Sequence, residues 1–197
     1  MSTAVYSVAA VPDNQDAQTA QTLRRLDPEA IDSLVERYAH RLLRYLLHVT
    51  GERALAEDLF QETWLRVLER GHQYDPRRSF VGWLLGIARH LALDTLRRKR
   101  PASLDALLEA RDGEPPEEAS AAGPSPLESL VARERHDHVT AAAAALPAAY
   151  REVLFLRFQE DMTLEEIARV TGVPVPTVKS RLYRGLEHLA KRLGRES

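Results

Sequence analysis

Residues 163–193 read TLEEIARVTGVPVPTVKSRLYRGLEHLAKRL, and the fold follows from how this stretch divides. Thr163 and Glu166 have capping-box spacing, in which a hydroxyl and a carboxylate three residues apart satisfy each other's free amides, so a helix starts there. Leu164, Ile167, Ala168 and Val170 give that helix an apolar face. Gly172 sits where the chain must turn, and glycine enters the left-handed region without steric cost. Pro174 and Pro176 block continuation of the first helix, while a proline is tolerated in the opening turn of the next. Val178, Leu182, Leu186 and Leu189 then recur at helical spacing as the expected buried stripe of a second helix. Lys179, Ser180, Arg181 and Arg184 fall largely off it. From Pro174 to Arg195 six Lys and Arg stand against the single acid Glu187. A basic amphipathic helix alone is usually a solvated face. With the capping box and the turn glycine it reads as a helix-turn-helix whose second helix enters a DNA major groove, led by Thr177, Lys179, Ser180, Arg181 and Arg184.

The 197 residues allow one or two modest domains. A net charge of −2 hides a division along the chain: residues 24–100 carry +4, residues 101–132 carry −6 and residues 133–197 carry +2. Two basic segments flank an acidic joint. Cysteine is absent, which excludes disulfides and thiolate metal sites and suits a reducing compartment. No signal-peptide pattern and no apolar run of about 18–20 residues is present, so the expectation is a soluble cytoplasmic protein without stable membrane insertion.

Small and polar residues dominate positions 1–25, read as a disordered tail. A first domain is expected over 26–100, with a helix entering at Asp27 as N-cap and Pro28 and stopping at Gly51. The pattern RALAEDLFQETWLRVLER ends at Gly71, and FVGWLLGIARHLALDTLRRKR runs to Pro101 with Phe80, Trp83, Leu84, Ile87 and Leu91 as its inner face. Residues 101–128 have the Pro, Gly, Ser and acid content of a flexible linker. The second domain, 129–197, opens with a helix over Leu127–Ala145. AAYREVLFLRFQ follows, with Leu154 and Phe158 inward, and then the helix-turn-helix. The fold class is all-α: a three-helix bundle and a C-terminal helix-turn-helix domain joined by an acidic linker.

The first domain carries a second constellation. Phe80 and Trp83 stand near the start of its third helix, and Arg97, Arg98, Lys99 and Arg100 end it. Rings beside clustered cations suit single-stranded DNA, where rings receive bases and guanidinium groups hold phosphates. Rings at helical spacing also suit a core.

With these segments in view, the chain resembles the sigma factors of bacterial RNA polymerase, in their small extracytoplasmic-function (ECF) group. AEDLFQETWLRVLE (56–69), SFVGWLLGIARHLALDTLRR (79–98), LPAAYREVLFLRFQEDMTLEEIA (146–168) and GVPVPTVKSRLYRGLEHL (172–189) carry the likeness. They stand in the family's order. The resemblance implies that Asp58, Gln61, Glu62 and Leu65 dock on the clamp coiled coil of core RNA polymerase. It implies that the loop 72–79 and the following helix open promoter DNA and hold the minus-ten strand, through Tyr74, Arg77, Arg78, Trp83, Arg89, His90, Arg97 and Arg98. The C-terminal helix-turn-helix would read the minus-thirty-five duplex. An anti-sigma protein is an implied partner. No cofactor, metal site or catalytic residue is expected.

His90 stands where the family often has Asn, and Pro174 and Pro176 replace the usual Ser cap and later Gly. Two other classes compete with this reading. A stand-alone helix-turn-helix regulator with a helical sensing or dimerisation domain would need no docking helix and would bind its operator alone, generally as a dimer. An enzyme is disfavoured: the histidines are scattered, His136 and His138 do not share a helix face, and no HExxH, P-loop or nucleophile elbow occurs. Arg181→Ala is expected to weaken duplex binding at one promoter element by about 1–3 kcal/mol if Arg181 meets a base edge. Competition binding against scrambled sequences checks this, since a phosphate contact would weaken all sequences equally.

Overall fold

The computed structural model describes residues 14–99, 143 and 145–193. The expected linker over 101–128 and nearly all of the expected helix Leu127–Ala145 lie outside the described residues. Seven α-helices occur among the described residues, with no strand. They are α1 (Asn14–Arg25), α2 (Pro28–Thr50), α3 (Arg53–Arg70), α4 (Phe80–Lys99), α5 (Ala148–Phe158), α6 (Leu164–Thr171) and α7 (Val175–Leu193). A 3-10 turn over Gly71–Gln73 follows α3.

Helices α2, α3 and α4 form the bundle. Leu34, Tyr38, Leu42, Tyr45 and Leu46 of α2 are buried against Leu55, Leu59, Trp64 and Val67 of α3 and Phe80, Leu84, Leu85, Ala88 and Ala92 of α4. Burying a large apolar side chain contributes about 1.5–3 kcal/mol, so this contiguous face holds the bundle. The inner face of α4 is turned from the one expected: Phe80 and Leu84 are buried, but Trp83, Ile87 and Leu91 are only half-buried. The buried set advances through Leu85, Ala88 and Ala92, and the two alanines are small enough to let α4 lie between two neighbours. Asp27 does precede α2 in extended backbone, yet its side chain makes no cap bond, and Gly51 ends the helix in the left-handed region at φ 67°.

Residues 14–25 are helical, against the expected disordered tail. Three features explain the difference. Thr19, Ala20 and Leu23 bury one side of α1. A Cβ on Gly71 would stand 2.9 Å from Leu23 Cβ, so the missing side chain permits the close approach. Asp16 accepts hydrogen bonds from the Tyr74 hydroxyl and the Phe80 amide, both at 2.9 Å. The second satisfies a free N–H in the first turn of α4, where a carboxylate also suits the helix dipole.

In the second domain the capping box is present. The Glu166 amide donates to Thr163 Oγ1 at 3.2 Å, and the Thr163 amide donates to Glu166 Oε2 at 2.8 Å. Gly172 adopts φ 71° and its N–H closes on the Ala168 carbonyl. Where a Ser cap is missing, the Pro174 carbonyl accepts from both Thr177 and Val178, so α7 begins without a side-chain cap. The buried side of α7 is Val178 and Gly185, flanked by half-buried Leu182 and Leu189, while Leu186 is exposed. A Cβ on Gly185 would stand 3.1 Å from Leu154 Cδ1, so α7 lies close over α5 there and displaces the stripe from Leu186. Leu154 is buried as expected. Phe158 is exposed instead, because Val153 and Leu156 fill the core from α5.

The two domains pack against each other, α6 lying on α4 and α5 touching α2. Asp16→Ala removes an acceptor shared by a buried hydroxyl and a helix-start amide. It is expected to cost about 1–3 kcal/mol, read as a lower urea midpoint at unchanged slope.

Candidate nucleic-acid and polymerase interfaces

On α3, Asp58, Gln61 and Leu65 are exposed and Glu62 is half-buried. Their spacing of three, one and three residues puts them on one face. Glu62 accepts from Arg66 Nε at 3.0 Å, and Leu65 is 57 % exposed amid these polar groups. An acidic edge around one uncovered leucine suits a basic partner helix with an apolar contact at its centre.

The loop before α4 is built by internal hydrogen bonds. Asp75 turns the chain by accepting from the Arg78 amide at its carbonyl and from the Arg77 amide at its carboxylate. The Tyr74 hydroxyl donates to the Arg78 carbonyl at 2.6 Å as well as to Asp16. Tyr74 is 2 % exposed, with its ring against Phe80 and Trp83. Burial, then Asp16, raise its phenol far above the usual range, so it stays protonated. Tyr74 was expected to face DNA and here it shapes the loop instead, leaving Arg77 and Arg78 exposed.

Phe80 is core, whereas Trp83 is half-buried and turns part of its ring toward a groove between α3, α4 and α6. This groove, of about 810 Å³, gathers Arg78, Trp83, His90 and Arg98 from the expected strand-binding set, with Glu62, Arg66 and Arg70 of α3 and Arg169 of α6. His90 is exposed, with Nε2 3.3 Å from Asp94, and Arg97 lies 3.7 Å from the same carboxylate. A ring with cations on both sides is the equipment for holding an unstacked strand.

Arg89 is placed elsewhere. It bonds Glu152 of α5 through both guanidinium branches, at 2.8 and 3.3 Å, and the two side chains are each 12 % exposed. Burial disfavours its charge, but the Glu152 carboxylate more than offsets this and holds its pKa above the ordinary value. In this arrangement Arg89 does not face solvent as a phosphate contact must.

On α7, Lys179, Ser180 and Arg184 are exposed and Thr177 and Arg181 half-buried. All five fall in its first three turns. No group of acidic and histidine residues able to hold a metal occurs among the described residues. No helix among them is long and apolar enough to cross a membrane.

Comparison with known proteins gives two family matches in order along the chain: Sigma-70 region 2 over residues 34–102 and Sigma-70 region 4 over residues 137–189. The chain is 31 % identical over 173 residues to the ECF RNA polymerase sigma factor SigW of Bacillus subtilis, covering 87 % of this chain and 92 % of that one. It belongs to the ECF sigma factors. The RNA polymerase sigma-H factor of Pseudomonas aeruginosa is 30 % identical over 181 residues, covering 91 % and 94 %. CarQ of Myxococcus xanthus is 32 % identical over 166, covering 84 % and 90 %. Among solved structures, CnrH in complex with the cytosolic domain of CnrY shares the fold, with TM-score 0.64 at 22 % identity, covering 93 % of this chain and 100 % of that one. So does the Bartonella quintana sigma factor RpoE in complex with the anti-sigma factor NepR, with TM-score 0.61 at 18 % identity, covering 83 % and 96 %.

Sequence reasoning missed Asp16, Glu152, Glu160 and His48. His48 stacks on Phe155 of α5, ring centroids 4.2 Å apart, with Arg44 on the same ring. Burial first, then the charge of Arg151, lower its pKa from 6.5 to about 4. A histidine kept neutral in the fold stabilises it fully above about pH 6.5, and that contribution is lost as pH falls toward 4. His48→Phe is therefore expected to flatten the fall of melting temperature between pH 6.5 and 4 relative to the native chain, with little change above pH 7. Thermal melts across that range check it.

Proposed function

We propose that this sigma factor docks on core RNA polymerase through α3, captures the minus-ten strand in the groove along α4 and reads the minus-thirty-five duplex with α7. It is a promoter-directing sigma factor and not a stand-alone regulator, since both sigma regions are present in order. The observation that best supports the finer reading is the groove itself. Trp83, His90, Arg78 and Arg98, drawn from the loop and from four turns of α4, line one cavity. An extruded base loses stacking energy, and a ring with flanking donors offsets that loss. Cations at Arg66, Arg70, Arg97 and Arg98 then track the phosphates.

This reading gives the chain no chemistry of its own: it supplies position, and the polymerase supplies catalysis. The place of action is the cytoplasm, where polymerase and promoter are. In the solved structures above, the sigma factor RpoE is bound to the anti-sigma factor NepR, and CnrH to the cytosolic domain of CnrY. A regulator of the same class is proposed here, covering the α3 edge or the α4 groove.

Transcription by purified core polymerase on a promoter library, with transcript starts sequenced, tests the whole assignment. Defined starts that depend on added protein are expected. Replacing Asp58 and Glu62 together by Ala is expected to abolish those starts and co-purification with polymerase, while α7-dependent duplex binding stays within about twofold of native, as for surface changes remote from the contact. Normal co-purification of that variant would refute the docking face.

A further inference from the structure

The loop between α3 and α4 is braced by a helix from outside it. Asp16 and Leu23 stand about 10 Å apart along α1, and each meets one end of the loop. At the near end Leu23 packs where Gly71 has no side chain, its Cβ 2.9 Å from the position a Cβ there would take. At the far end half-buried Asp16 accepts at Oδ1 from the Tyr74 hydroxyl and the Phe80 amide. Among the described residues, every other hydrogen bond of residues 72–80 spans at most four residues. Helix α1 precedes the Sigma-70 region 2 match, which begins at residue 34.

We propose that Asp16 is a positioning residue that sets base specificity at the minus-ten strand, by locking this loop in the shape that admits one extruded base. The inference rests on the strand-capture reading above. Arg78, Ser79 and Trp83 line the groove and Asp16 does not, so its effect passes through Tyr74 and Phe80. The single hydroxyl proton of Tyr74 lies within reach of Asp16 Oδ1 at 2.9 Å and of the Arg78 carbonyl at 2.6 Å. The carboxylate thereby fixes the backbone that aims Arg78. The Tyr74 ring lies against Trp83, centroids 5.2 Å apart, so the aromatic wall of the groove is fixed with it. Through the Phe80 amide, Asp16 also sets where α4 begins.

A brace of this kind bears on the choice among bases more than on grip. Phosphate contacts carry no sequence information, and Arg97 and Arg98 make theirs from the other end of α4. Discrimination needs donors and walls held within hydrogen-bond geometry around one base, and a loop free to adjust accommodates the wrong base as well. Loss of Asp16 therefore weakens the preferred base and spares the others.

The test uses the full chain assembled with core polymerase and fluorescent promoter DNA opened over the minus-ten segment, each position carrying each of the four bases in turn. With the native chain, a wrong base at the captured position is expected to weaken binding roughly tenfold, an ordinary cost for one mismatched position. Asp16→Ala should cut that ratio to about threefold or less, with the salt slope unchanged because no phosphate contact is lost. Asp16→Asn keeps an acceptor oxygen in place and should retain most of the ratio. Tyr74→Phe should flatten it as Asp16→Ala does, and the two changes together should go no further. Leu46→Ala, an apolar core change outside the loop and α1, should lower the melting temperature and leave the ratio alone. A native ratio in Asp16→Ala, or an equal loss for all four bases, would overturn the proposal and leave Asp16 a structural tie. Should Asp16→Ala lose its cooperative melt, Tyr74→Phe carries the same comparison. A native chain that binds all four bases equally at every position would instead refute strand capture, and this proposal with it, so the two failures stay distinct.

Discussion

A carboxylate removed from water must be paired, and Glu160 is where this protein meets that constraint. Its side chain is fully buried, and two guanidinium groups from 116 and 119 residues earlier surround it. Buried pairs of this kind add little net stability, since desolvation offsets most of the attraction, but breaking one is costly. Such contacts specify an arrangement more than they strengthen it. Glu152 does the same with Arg89 and Tyr45, and the His48–Phe155 stack fills the apolar space beside them. Through these contacts α6 comes to rest on α4, and the groove acquires its third wall.

The internal design of the first domain follows a related rule. On the proposed reading the loop before α4 holds an unstacked base, and such a loop must be rigid before the base arrives, because ordering it later would consume binding energy. Tyr74 supplies that rigidity from beneath, with its hydroxyl shared between the Arg78 carbonyl and Asp16 and its ring between Phe80 and Trp83. The polar residues above it are then free to face outward.

Local signals in the sequence are legible. The Thr163–Glu166 box, Gly172 and the apolar spacing of Val178 and Leu182 depend on neighbours within a turn or two, and they appear as expected. Four matching segments in order carried the family. Contacts between distant residues were less legible. The stretch 14–25 looked disordered because Thr19 and Ala20 bring little hydrophobicity, and its stability comes from Asp16 and from the space left at Gly71. Tyr74 and Arg89 have the right chemistry for DNA, but their partners lie 58 and 63 residues away, and no periodicity reports that. No local pattern marks Glu152 as the partner of an arginine 63 residues earlier. Leu186 fell on the expected stripe, yet Gly185 lets α7 sit so close to α5 that the neighbouring position is displaced outward.

The two domains are one covalent chain, and this governs how their contact responds to rivals. Residues 100–147 join α4 to α5, so the acids of the second domain are never diluted away from the arginines they meet. Reclosing is a unimolecular event, and its extent does not change with how much protein a cell makes. A rival for those arginines must outcompete a permanently tethered neighbour.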